Sequence, residues 1–501
     1  MAEAGTGTML GAGIATGSLS LNPASEGTAS DMGLPEPTPL FLLLQRTGYG
    51  IREDQWRRAQ ELGYDAWLEE QLAADEGPDA AREARLAAAL PSLAMGAREL
   101  IDYTGADEEH RFRAVAELRA ATLTRRLSST RQLHELMVEL WSDHFSVLHT
   151  EGPVRVHKTL HDREVRRHAL GRYGDLLRAT ARSPAMLYYL DNYSNVAEGP
   201  NENYARELLE LHTVGAGAFT EADVKAVARA FTGWGIGVAD PVARDVGFVF
   251  HAERHDRAAK RVLGVDIPPG GGIEDGELVL EILLAHPRTA LTVAARLARR
   301  FVADAPPAAL VARVAETFRA SAGDIRSMLR EILTSPEFLA SADRKLKRPV
   351  EYLCSALRTL GANLPPAAIG SLVARLERLG HVPFLWPEPD GYPDTASSWR
   401  GAEAMMERLN LVLALSEGSV HAGLTYDLRG LVGQARSPEQ LVDRLGERVL
   451  RRPVSAFDRA AMVAFVAGDA ASGQALPQTT LMRRARELIA LLLGSPYFQY
   501  R

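Results

Sequence analysis

The residues best suited to chemistry stand in one stretch, Asn201-Glu202-Asn203-Tyr204-Ala205-Arg206-Glu207-Leu208-Leu209-Glu210-Leu211-His212. Three carboxylates, an arginine, two amides, a tyrosine and a histidine fall within about three helical turns. A helix that only filled a core would not need so many polar groups beside its leucines. On a helix over 201 to 214, residues three, four and seven apart share a face. Asn203, Glu207 and Glu210 therefore line up with Val214 below them, while Tyr204, Leu208 and Leu211 form the apolar stripe. Two readings fit. Glu207 and Glu210 point into a pocket with His212 at the helix end, as metal ligands or as an acid/base pair. Otherwise Arg206 bridges Glu202 and Glu210 on a solvated face, where each pair contributes roughly a few tenths of a kcal/mol.

Three further constellations join it. Leu140-Trp141-Ser142-Asp143-His144-Phe145 sets His144 among bulky aromatics at the end of an amphipathic helix, either as a core histidine or as a proton carrier beside Asp143. The loop Phe250 to Lys260 holds His255 and Asp256, suited to metal binding or acid/base work, and Lys260, suited to anchoring an anion. An ordinary polar hairpin loop is the alternative there. Pro387-Glu388-Pro389-Asp390-Gly391-Tyr392-Pro393-Asp394, with Trp399 behind it, makes a rigid irregular loop that either lines a pocket or only covers the core. The catalytic candidates are thus Glu207, Glu210, His144, His255 and Lys260. Asn201, Asn203, Tyr204, Arg206, Trp234 and Tyr392 are candidates to touch a substrate. A divalent metal ion would draw its ligands from Glu207, Glu210, His212, His255 and Asp256. All of this requires three remote stretches to meet; separations beyond about 12 Å would leave no shared site.

Helices must do the positioning. Amphipathic periodicity predicts helices over about 53–73, 78–90, 109–127, 130–146, 155–170, 173–180, 184–191 and 201–214, and again from 275 onward. Thr220-Glu221-Ala222-Asp223 reads as a helix N-cap. Only residues 246–251 and 260–265 read as strands, forming one short β-hairpin with the His255 loop between them. The C-terminal half carries an internal echo. Leu297-Ala298-Arg299-Arg300-Phe301 matches Val449-Leu450-Arg451-Arg452-Pro453, and Leu333-Thr334-Ser335-Pro336-Glu337-Phe338 matches Leu493-Gly494-Ser495-Pro496-Tyr497-Phe498. The expectation is a mainly α, multi-helical protein: a disordered leader over 1–37, an N-terminal helical domain over 38–274, and a C-terminal helical domain over 275–501 built from two related units.

Composition excludes several classes. The 501 residues are 46% apolar and 24% charged, as in soluble globular proteins. A net charge of -7 and a pI near 6.1 argue against nucleic-acid binding. The single cysteine, Cys354, rules out an intrachain disulfide and reads as a small buried hydrophobe. No run of eighteen apolar residues is present, so no membrane-spanning helix is expected. P-loop, His-Glu-x-x-His, Gly-x-Ser-x-Gly and dinucleotide-binding patterns are all missing.

Met137 to Val147, Asn201 to Gly215, Phe219 to Trp234, His255 to Gly264 and Lys347 to Gly361, with the Ser-Pro-x-Phe ends and the Pro-Asp-Gly-Tyr-Pro loop, resemble the bacterial domain of unknown function 1800 family over roughly 38–501. One departure is Ala258, where the family's His-Asp-x-Gly-x-Lys loop has glycine. The resemblance implies export and a second, sulfatase-like secreted protein as partner, but no agreed activity. The leader has no Lys or Arg before its weak apolar stretch and does not read as a signal peptide, so a cytoplasmic location stays open. Two functions remain in view: a metal-dependent hydrolase with a carboxylate/histidine pocket, and a non-catalytic helical binding or assembly module acting with a partner protein.

Overall fold

The helical periodicity is realised along nearly the whole chain, from Pro39–Arg46 to Pro496–Gln499. The structure, a computed structural model, describes residues 33–73, 77–107, 110–150, 152–240, 245–469 and 473–501. The leader expected at 1–37 lies outside the described residues up to position 32. One contiguous apolar core runs from Phe41 to Phe498 and includes Leu136, Trp141, Leu297 and Leu353. No single described helix is long and apolar enough to cross a membrane.

Two helices form the axis of that core. Gln132–His144 is buried on every side through Leu133, Leu136, Met137 and Trp141, so even Glu135 and Glu139 are taken out of water. Pro349–Leu360 is buried at all twelve positions. Its proline at the first turn lacks only an N–H that the helix would leave unused. Glu351 then closes the N-terminus by accepting from the Arg348 backbone N–H at 2.9 Å. Pro287–Phe301 begins the same way, with His286 as N-cap and Pro287 at the first turn.

The β structure differs from the expectation. Among the described residues there are two antiparallel hairpins, not one: β1 (Trp234–Asp240) with β2 (Asp245–Phe250), and β3 (Lys260–Val262) with β4 (Val265–Ile267). The strands read as partners, 246–251 and 260–265, belong to different hairpins. Strand β1 escaped the pattern because Trp234-Gly235-Ile236-Gly237 alternates with glycine, which weakens a strand. The glycines are needed: a Cβ on Gly235 would stand 2.9 Å from the His251 ring and one on Gly237 3.3 Å from Val249.

The echo in the C-terminal half is half structural. Ser335 and Ser495 take nearly the same backbone angles, each opens a short helix on proline, and Phe338 and Phe498 both enter the core. Upstream the copies diverge. Arg299 and Arg300 sit in a regular α-helix, whereas Gly446–Leu450 winds as a π turn and Arg451 adopts the left-handed φ of 53°.

Candidate functional site

The 201–214 stretch is not one regular helix. Asn203–Glu207 is α, and Leu208–His212 is a π turn, with the Thr213 hydroxyl donating to the Leu208 carbonyl at 2.6 Å. Single π turns occur often at functional sites. Here the wider winding carries His212 into the core, 2% exposed, while Glu207 and Glu210 stay half-buried. Arg206 does not bridge Glu202 and Glu210. It reaches Glu202 at 3.5 Å and holds Glu221 through two bonds of 2.8 and 2.7 Å. Asn201 caps the turn, accepting from the Asn203 N–H at 2.9 Å, while Asn203 is exposed. Tyr204 is buried edge-on to Phe231. Tyr204 is therefore not free to meet a ligand.

The structure brings His212 and His144 together, with ring centroids 5.7 Å apart. Tyr173 links them. Its hydroxyl donates to the His212 carbonyl and lies 2.8 Å from His144 Nε2. Since that phenol proton is already directed at the carbonyl, His144 Nε2 must carry the hydrogen of the second bond, an assignment made from the network. Burial, helped by the nearby Arg296 guanidinium, pushes both imidazoles down, His212 to about 3 and His144 well below its ordinary range. Both are neutral at physiological pH and are not ready proton carriers.

Arg296 opens the other side of this cluster onto a cleft of about 260 Å³. Its walls are the end of the Gln132–His144 helix, the last turns of Pro287–Phe301, Arg348 and the loop Asp390–Thr395. That loop lies directly on the helix end: Gly391, at φ 73°, leaves so little room that a Cβ would fall 1.9 Å from the Asp143 carbonyl. Tyr392 contributes its ring to the wall, but its hydroxyl donates to the Val382 carbonyl at 2.8 Å and is not available. Behind the loop, Leu346, Tyr392 and Trp399 form a small satellite core, so the loop is a rigid wall. Glu207 lies outside these walls. Burial, then Glu210 and Asp390, raise its carboxyl above the ordinary value.

The charges of the cleft are unevenly satisfied. Glu139, 3% exposed, takes Arg348 at 2.6 Å, Arg300 at 2.9 Å, Arg126 at 3.1 Å and the Tyr49 hydroxyl at 2.9 Å. Burial raises and these guanidiniums lower its pKa, and the guanidiniums win, holding it at about 2. Glu351 takes Arg300 at 2.6 Å and Arg501 at 3.0 Å. Asp143 accepts from Arg348 at 2.9 Å and keeps 16% of its side chain exposed. Burial, with the Glu139 charge adding to it, lifts Asp143 to about 6 against the pull of Arg348. Asp394 is held by Lys345 and Arg300. Arg296 alone among the buried or half-buried arginines of the cleft has no hydrogen bond or ion pair to a described residue. Arg299, at the mouth, donates only to the Asp304 carbonyl, at 3.1 Å.

The His255 loop stands apart from this cleft. His255 Nε2 lies 3.2 Å from Asp275, its Nδ1 lies 2.8 Å from the Thr232 carbonyl, and Lys260 Nζ donates to Asp275 at 2.7 Å. Lys260 also donates to the Asp256 and Ala258 carbonyls, so it anchors its own loop and not a ligand. Asp256 is paired with Arg229 at 2.6 Å and turns the loop by accepting from the Ala258 N–H. Ala258 keeps a negative φ, which explains why alanine is tolerated there. Trp234 is sealed between Phe231, Phe248 and Arg182. Among the described residues no three His, Cys, Asp or Glu side chains are gathered as a metal ion requires, so Glu207, Glu210, His212, His255 and Asp256 do not form the metal centre expected. The candidates are therefore dispersed: of them only Tyr392 lines the cleft, His144 and His212 pack against each other in the core, Glu207 stands on the half-buried side of its helix, and His255, Asp256, Lys260 and Trp234 belong to another part of the core. Sequence reasoning missed Tyr173, Glu139 and Arg296. Glu135 and Glu139, set four apart in an otherwise apolar run, were the available signal.

A family profile described as "Protein of unknown function (DUF1800)" matches residues 42–500, which include every residue of the cleft. The chain belongs to the DUF1800 family. No curated protein and no solved structure matches this DUF1800 chain.

Proposed function

We propose that this DUF1800 protein is a binding module whose cleft takes a small oxyanion of its ligand, a carboxylate or a group of similar size, on Arg296 with help from Arg299. The observation that carries this reading is the half-buried Arg296, unpaired among the described residues, in a cleft whose other inner arginines are neutralised. A guanidinium offers a planar pair of donors that matches an oxyanion, and a partly dry site strengthens the contact. The volume suits one small group, not a whole extended ligand. This favours the binding-module reading over a metal-dependent hydrolase. A sulfatase-like partner remains a proposal that rests on the family resemblance.

Titration calorimetry at low salt with citrate, galacturonate, sulfate and phosphate tests it. At least one should saturate with a Kd below about 1 mM, and Arg296→Ala should weaken it at least about tenfold, or about 1.4 kcal/mol. No saturation by any of the four, or equal binding by the variant, sinks the proposal.

Asp143 favours a second, enzymatic reading. A carboxyl held near pH 6 beside a ligand cleft is suited to general acid or base work without a metal. Asp143→Asn would then keep binding and abolish any turnover found.

A further inference from the structure

A second basic cavity, of about 470 Å³, lies along the Val154–His168 helix and shares no lining residue with the cleft. Six arginines converge on it: Arg82, Arg125, Arg131, Arg163, Arg166 and Arg167. They come from four separate stretches of chain, so their meeting is a product of the fold and not of a local charge run. Three carboxylates line it with them. Asp79 is engaged by Arg82 at 2.7 Å and by Ser129 and Thr130, Glu83 by Arg125 at 2.7 Å, and Glu135 by Arg166 at 2.7 Å. Outside the hollow, Arg166 also meets Asp162 at 3.1 Å and Arg167 meets Glu164 at 2.8 Å. Along the wall itself, arginines still outnumber carboxylates two to one. Arg163 reaches no carboxylate; its Nη2 donates to the Leu93 and Met95 carbonyls at 2.9 and 3.0 Å. Arg125, only 7% exposed, has a buried Nη1 with no hydrogen-bond partner. A donor buried and unsatisfied, within a wall of like charges that repel one another, costs stability unless something anionic completes it.

We propose that this cavity is a binding site for a compact polyanion, a small molecule carrying two or more phosphate or sulfate groups. Several guanidiniums set around one hollow can hold several oxyanions at once, each through paired donors, which a single carboxylate would not exploit. The surrounding net charge of the chain is negative, so general attraction of anions to the molecule does not explain the patch.

The test is titration calorimetry of the full chain at low salt with inorganic tripolyphosphate in one arm and a disulfated disaccharide in the other. Saturable binding of either probe, weakening at least about tenfold between roughly 50 and 200 mM salt as screening grows, supports the site. The arm that binds more tightly identifies phosphate or sulfate. Arg131→Gln combined with Arg167→Gln should raise the Kd at least about tenfold, and so should Arg163→Gln; Arg296→Ala should leave it unchanged. Circular dichroism and melting of each variant confirm folding. No saturation of either probe, or binding unchanged in both cavity variants, overturns the proposal. Loss of binding in Arg296→Ala would overturn it as well, since the anion would then sit in the cleft.

Discussion

The two copies of the C-terminal echo carry the same arginines to different ends. In the first copy Arg296, Arg299 and Arg300 border the cleft; in the second Arg448, Arg451 and Arg452 border a surface hollow of about 550 Å³. Glu53, reaching over from an N-terminal helix, fills the second set. It takes Arg448 at 2.6 Å and Arg451 at 2.8 Å, and those bonds hold its carboxyl down at about 2 despite partial burial. Arg452 is neutralised by Asp343 through two bonds. Among the described residues the first copy has a buried acid for Arg300 but none for Arg296 or Arg299. The contrast teaches that the fold supplies a carboxylate to every arginine of the second copy, and in the first supplies one to Arg300 and withholds it from Arg296 and Arg299. Arg296 is the one of these two that is half-buried, and it is where we propose that an outside anion binds.

The largest effect that could break this comparison is in the buried network. Glu139→Gln leaves Arg126, Arg300 and Arg348 without their shared counter-ion, so denaturant unfolding should show a loss of about 3–5 kcal/mol. An effect below about 1 kcal/mol would mean that the cleft floor is not held by charge. Gly391→Ala comes next. The new Cβ would strike the Asp143 carbonyl at a left-handed φ, and a loss of about 1–3 kcal/mol with impaired anion binding is expected. Glu53→Gln sharpens the comparison from the other side. With Glu53 28% exposed, the stability cost should be only about 1 kcal/mol. Acetate should then stabilise the variant and not the parent protein, because it replaces the missing carboxylate.

The smallest effect concerns pH. Asp143 is raised in the folded state from its ordinary 3.8 to about 6. Its folded form prefers the proton, so the stability linked to it is full below about pH 4 and is lost as pH rises through 6. Asp143→Asn should therefore gain on the parent protein in melting temperature between about pH 4 and pH 7. Anion binding at Arg296 should tighten on acidification through about pH 6, as the proton removes a competing negative charge. A melting difference that does not change with pH would show that Asp143 does not titrate in this window.

Much of the fold was legible because it rests on local signals. Apolar periodicity, proline at first helical turns and the Ser-Pro-x-Phe stops each act within a few residues, and the helices obey them. The hairpins were half legible: glycine hid β1, and pairing is set by residues far apart. The cleft shows the same division. His144, Glu207, His212 and the Pro-Asp-Gly-Tyr-Pro loop stand out as polar clusters, but of these only the loop lines it. Whether a polar group is free or satisfied depends on partners more than a hundred residues away, as Arg300 and Arg348 are for Glu139. Nothing local in the sequence separates the unpaired Arg296 from the paired Arg300. Equally, nothing near Lys260 and His255 announces that Asp275 and the loop carbonyls take up both.

The π turn at Leu208–His212 has one more consequence. It holds nearly a residue more per turn than the α-helix before it, so this segment carries a built-in surplus in its winding. Removing Leu211 would take up that surplus: the backbone would relax to ordinary pitch with the chain on either side kept in register. Removing a residue from the α-helical turn before it has no such outlet and would rotate the downstream chain by about 100°. His212 would then swing away from Tyr173, and its carbonyl would no longer meet the phenol. The π turn is thus the one point of this segment where a change of length by one residue can be absorbed.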